Sequence, residues 1–76
     1  MNQITNKQIR TLETEAFAAG DALMGYICRV ALGNEYTEAE LNDDSCLDHS
    51  ERHQVAAMTE EDARKACVIA LSHGNG

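Results

Sequence analysis

The chain has 76 residues and a formal charge of -7, from 13 acidic residues against six Lys or Arg. That length holds one domain, residues 1–76, and buries barely enough apolar surface to offset lost chain entropy, so a disulfide, a metal or a partner is a natural supplement. The acidic balance argues against direct nucleic-acid binding, which needs Lys/Arg clusters to displace counterions. No apolar run reaches the roughly 18 residues that a membrane span requires.

With no proline, one Phe and two Tyr beside abundant Ala, Leu, Glu and Gln, the composition favours helix over strand. In "TNKQIRTLETEAFAAGDALMGYICRVALGN", Ile9, Leu12, Ala16 and Ala19 recur at three- and four-residue steps, and Leu23, Ile27, Val30 and Ala31 do so beyond Gly20. Both halves read as amphipathic helices. Gly is preferred just past a helix end and Asp is a preferred N-cap, so Gly20-Asp21 predicts a hairpin. One bent helix is the alternative, because a lone internal Gly costs only about 1 kcal/mol. Gly33-Asn34 is the expected stop of the second helix.

Beyond Asn34 the apolar period weakens. "TEAEL" has the form of a capping box between Thr37 and Glu40 and predicts a short helix, which "NDDS" is expected to interrupt. "LDHSERHQVAAM" predicts another short helix or turn ending near Met58. The last segment, "MTEEDARKACVIALSHGNG", sets Thr59 as N-cap and puts Glu60, Glu61 and Asp62 at the positive end of the helix dipole. Ala63, Ala66, Cys67 and Ala70 form a small-residue stripe flanked by Val68, Ile69 and Leu71, so this helix is expected to be central or partner-facing. The expected fold is all-α: a small bundle of an N-terminal helical hairpin, an acidic middle with short helical turns, and a C-terminal helix. The apolar last helix also suggests a homodimer.

Charge is unevenly placed. Residues 1–32 balance three bases against three acids, whereas residues 33–62 hold ten acids against Arg52 alone. Within the middle, Glu35, Tyr36, Glu38, Glu40, Asp43, Asp44, Asp48 and Glu51 are the candidate partner-binding residues. A charge-rich run is commonly a solvated linker. The functional alternative is a negative surface complementary to Lys and Arg on a partner, with mimicry of a phosphate backbone as a special case.

Three widely spaced cysteines, Cys28, Cys46 and Cys67, do not make an even-numbered secreted framework, and no signal-peptide pattern opens the sequence. A reducing cytoplasm is the expected setting. Cys28 and Cys67 fall on apolar faces, where a free Cys acts as a small hydrophobe. Cys46, His49 and His53 in "CLDHSERH" would share a face if that stretch were helical, but three ligands do not close a structural zinc site. A metal-stapled or regulatory binding module is therefore the alternative reading, and no metal or cofactor ligand is assigned. A Cys/His nucleophilic pair needs a base within reach, an oxyanion site and a pocket that so short a chain could scarcely build, and no P-loop, dinucleotide-binding turn or zinc-protease helix occurs in the sequence, so no catalytic residue is assigned and an enzyme is not expected.

Gln8, Ile9, Leu12, Glu15, Ala16, Ala19, Gly20, Asp21, Ile27, Cys28, Ala31 and Leu32, followed by Ala63, Arg64, Ala66 and Cys67, resemble a pattern of short phage- and plasmid-borne helical proteins of poorly assigned function. The matched blocks cover about two thirds of the chain, and the acidic middle lies outside them. By analogy with anti-CRISPR proteins, the resemblance implies a stoichiometric inhibitor that binds a basic surface of a host defence complex. The regulatory alternative implies co-purification with a transcription factor.

Overall fold

Five helices account for most of residues 4–44 and 46–74, the part of the chain described by this computed structural model, and no strand occurs among those residues. The side chain of Asp44 lies outside the description. In order the helices are α1 (Asn6–Ala18), α2 (Ala22–Ala31), α3 (Glu38–Asp44), α4 (His49–Ala57) and α5 (Glu60–Gly74).

Helix α1 begins at a capping box: the Thr5 hydroxyl accepts from the Gln8 amide at 3.1 Å, and the Gln8 side chain accepts from the Thr5 amide at 2.9 Å. It ends in a Schellman turn, in which Gly20 donates to the Phe17 carbonyl and Asp21 to the Ala16 carbonyl, with Gly20 at φ 83°. Asp21 then turns its own carboxylate to the Met24 amide at 3.2 Å and so starts α2. One residue thus closes the first helix and opens the second, which settles the Gly20-Asp21 question in favour of the hairpin. The same turn geometry recurs at Gly33 and Asn34, which donate to the carbonyls of Val30 and Arg29.

The central element is α2 rather than α5. Gly25, Tyr26, Ile27, Cys28, Val30 and Ala31 are all buried on it, whereas α5 buries Ala63 and Cys67 and leaves Ile69 58% exposed. Helix α1 and α5 both pack on α2, and Ile9 from α1 is fully buried in the shared core. Ala19, read from the sequence as part of the apolar face, is exposed because it already belongs to the turn. Close approach of α1 to α2 depends on Gly25, because a Cβ there would lie 2.5 Å from the Phe17 ring.

The acidic middle is more regular than its composition suggests. Helix α3 runs through Asn42 and Asp43 to Asp44, so "NDDS" does not break it where expected. Thr37 and Glu40 form the anticipated box, with the Glu40 carboxylate accepting from the Thr37 amide at 3.0 Å and the Thr37 hydroxyl accepting from the Glu40 amide at 3.2 Å. Leu41 and Val55, each 1% exposed, and Leu47 are the apolar anchors of this half. Through them α3 packs on α4, and α4 on α2. Helix α5 starts where the Thr59 hydroxyl accepts from the Asp62 amide at 3.1 Å. Arg64 on α5 reaches the start of α1, donating to the Asn6 side chain at 2.7 Å and the Ile4 carbonyl at 3.4 Å.

Candidate functional site: an acidic face beside an apolar trough

The eight candidate residues of the middle divide by what the fold asks of them. Glu40 caps α3. Asp48 and Glu51 form a second capping box at the start of α4: the Asp48 carboxylate accepts from the Glu51 amide at 2.8 Å, and the Glu51 side chain accepts from the Asp48 amide at 3.1 Å. These three carboxylates have local hydrogen bonds that fix helix starts, a role sequence reading assigned only to Glu40. The signal was present, since Asp48-x-x-Glu51 is itself a capping-box pattern.

Tyr36 is half-buried and belongs to an aromatic cluster. Its ring meets Tyr26 edge-on at 5.4 Å between centroids, and Tyr26 meets Phe17 edge-on at 5.6 Å. The Arg29 guanidinium lies 4.8 Å from the Phe17 ring centre and 5.3 Å from that of Tyr26, a cation–π arrangement. Arg29 also pairs with Glu13 at 2.8 Å. That carboxylate, with the Tyr36 hydroxyl adding to it, holds the Arg29 guanidinium above its ordinary pKa. The cluster fastens the loop before α3 to the α1–α2 hairpin.

Glu35, Glu38 and Asp43 remain as exposed acids that take no part in these capping boxes. Glu38 faces His53 of α4 at 3.5 Å. Asp44 ends α3, and its side chain is outside the description. Arg52, the lone Lys or Arg of residues 33–62, turns inward and donates to the Leu47 carbonyl at 2.7 Å, bracing the turn before α4. The guanidinium of this acidic stretch is therefore spent within the fold.

Beside these acids lies a trough of about 380 Å³ lined by Val30, Val55, Ala56 and Met58 together with Asn34, Glu35, Tyr36, Thr37 and Glu40. An adjoining hollow shares Val30, Glu35 and Met58 and adds Glu60 from the first turn of α5. Glu35, Glu40 and Glu60 come from three separate segments. The fold sets Glu40 at the first hollow, Glu60 at the second and Glu35 at both, whereas the sequence reading left Glu60 in its role at the helix dipole.

The "CLDHSERH" stretch does not form one helical face. Helix α4 begins at His49 behind the Asp48 cap, so Cys46 lies in the preceding turn, exposed and off the helix that carries His49 and His53. Among the described residues no group of three or more His, Cys, Asp or Glu side chains is placed to hold a metal ion. No helix among them is long and apolar enough to cross a membrane. No known protein family, curated protein or solved structure matches this chain.

Proposed function

We propose that the chain acts by stoichiometric protein–protein binding, its acidic α3–α4 face meeting a basic surface on a partner complex. The observation that carries this reading is the set of exposed acids Glu35, Glu38 and Asp43 on and just before α3, of which Glu35 lines the trough at Val30, Val55 and Met58. Lys and Arg side chains combine an apolar stem with a charged head. A partner's basic side chain can lay its stem in that trough and bring its head to the Glu35 carboxylate, in a charge-assisted hydrogen bond. Long-range attraction toward a net charge of -7 would speed the encounter and weaken with added salt. The resemblance to mobile-element proteins extends the reading to the nucleic-acid-facing surface of a host defence complex of the CRISPR-Cas type, a surface that is basic by necessity.

The test is affinity capture from a bacterial lysate with the tagged chain and with a variant carrying Glu35→Lys, Glu38→Lys and Asp43→Lys, which leaves the capping acids in place. The natural chain is expected to retain a protein in a fixed molar ratio that the variant loses. Retention of the same protein in the same ratio by both would sink the acidic-surface reading.

A second copy of the chain is the other candidate partner. Ile69 is 58% exposed on α5, with Val68, Ala70 and Leu71 part-buried around it. Sedimentation of the natural chain and of Ile69→Glu separates the two: a dimer that the substitution dissolves supports pairing through α5, and a monomer in both cases removes it.

A further inference from the structure

Cys28 on α2 and Cys67 on α5 are both free thiols with no exposed surface, and their sulfurs lie 3.8 Å apart across the interface of the two helices. They are 39 residues apart in sequence, so it is the packing of α5 on α2 that brings them together. Ala31, one turn beyond Cys28, and Ala63, one turn before Cys67, are fully buried as well. Small side chains on either side of the sulfurs let the helices come close at this level. Among the described residues no third ligand joins the pair, which leaves it a dithiol rather than part of a metal cage.

We propose that Cys28 and Cys67 form an oxidisable pair whose disulfide fastens α5 to α2. The sulfurs need to close from 3.8 Å to a covalent bond of about 2 Å, a movement within reach of side-chain rotation and a small shift of α5. The hydrogen bond between the thiols favours loss of the Cys67 proton, and the Arg64 charge adds to it, whereas the same hydrogen bond and burial push the Cys28 thiol up. We take Cys67, on the helix that also carries Arg64, as the attacking sulfur. With a hydroperoxide as oxidant, the Cys67 thiolate attacks one peroxide oxygen and the O–O bond breaks. This leaves a sulfenic acid on Cys67, and the departing hydroxide leaves as water after taking up the thiol proton. The Cys28 sulfur then attacks the Cys67 sulfur; the S–S bond forms as the S–O bond breaks, and a second water leaves with the Cys28 proton. Two thiols lose two hydrogen atoms, and hydrogen peroxide becomes two waters.

Burial sets the timing. The oxidant reaches the pair only when α5 lifts from α2, and α5 is suited to local opening because, among the described residues, it adds two small side chains, Ala63 and Cys67, to the buried core. Oxidation therefore runs slower than at exposed Cys46. A small chain gains a cross-link inside its core, closing a loop long enough to restrict the unfolded state appreciably.

The experiment uses the Cys46→Ala chain, which removes the exposed thiol and with it intermolecular bridging. It is exposed to hydrogen peroxide, unfolded in iodoacetamide, and followed by intact mass, peptide mapping and thermal denaturation. The expected product has lost two hydrogens, maps to a Cys28–Cys67 bridge, unfolds about 10 °C higher than the reduced chain, and returns to the lower midpoint with dithiothreitol. Recovery of both cysteines as alkylated thiols would overturn the proposal. So would sulfinic acid without a bridge, or a bridged product whose midpoint is unchanged or lowered.

Discussion

The α1–α2 hairpin with α5 and the acidic α3–α4 segment are both helical, yet they are held by different means. In the first, side-chain periodicity and burial agree: Ile9, Ile27, Val30 and Ala31 recur at helical spacing and all are buried. In the second, helix starts are fixed by the Thr37–Glu40 and Asp48–Glu51 capping boxes, and among the described residues Leu41, Leu47 and Val55 are the buried apolar anchors. A segment can therefore be charged over most of its surface and still be rigidly placed, provided that a few apolar side chains anchor it and its carboxylates cap its helices. That division leaves Glu35, Glu38 and Asp43 available to a partner while Glu40, Asp48 and Glu51 hold the backbone beneath them.

The largest expected effects test whether the two regions unfold together. Ile9→Ala removes a fully buried side chain from α1, and Leu41→Ala removes one that is 1% exposed from α3. Each is expected to cost about 2–5 kcal/mol in a single urea transition common to far-ultraviolet circular dichroism and tyrosine fluorescence. If Leu41→Ala costs under about 0.5 kcal/mol while Ile9→Ala costs the full amount, the acidic segment is a loosely attached appendage.

A smaller effect sharpens the account of the hairpin. Gly25→Ala introduces a methyl group 2.5 Å from a Phe17 ring that is itself held by Tyr26 and Arg29, and is expected to cost about 1–3 kcal/mol. Combining it with Phe17→Leu should give a double variant more stable than the sum of the two single losses predicts, because the smaller side chain relieves the clash. Strict additivity in chemical denaturation would contradict that contact.

The smallest effect separates the two duties of an acid in the middle. Asp48→Ala removes the α4 cap and is expected to cost about 1 kcal/mol, whereas Asp48→Asn keeps a capping oxygen and should stay within about 0.5 kcal/mol of the natural chain. Equal losses in thermal denaturation would mean that Asp48 acts through its charge rather than its hydrogen bond.

The same contrast explains what could be read from the sequence. The hairpin was legible because apolar spacing and the Gly20-Asp21 pair point to one structure, and each local preference agrees with the final packing. Helix α5 was legible from the Thr59 cap and its three following acids, but its rank was not. Its apolar residues lie nearly all round the last turns, and periodicity alone cannot tell which side meets α2. In the middle, Leu41 and Leu47 stand singly among charges and offer no period, so their burial depends on long-range packing. The capping duty of Asp48 and Glu51 was written in their spacing, but the same two residues also read as surface charge. The meeting of Glu60 with Glu35 around Met58 had no local signal, because the residues come from different segments.

The most direct test of the central claim compares two variants that each lose three negative charges in different places. A fluorescently labelled hexa-arginine peptide is titrated at low salt against Glu35→Gln/Glu38→Gln/Asp43→Asn, and against Glu15→Gln/Glu61→Gln/Asp62→Asn, which alters α1 and α5. The first variant is expected to weaken binding about tenfold or more, equivalent to about 1.4 kcal/mol, and the second by about threefold or less. Equal weakening by the two would mean that the peptide senses net charge alone, and would contradict a binding surface at α3 and α4.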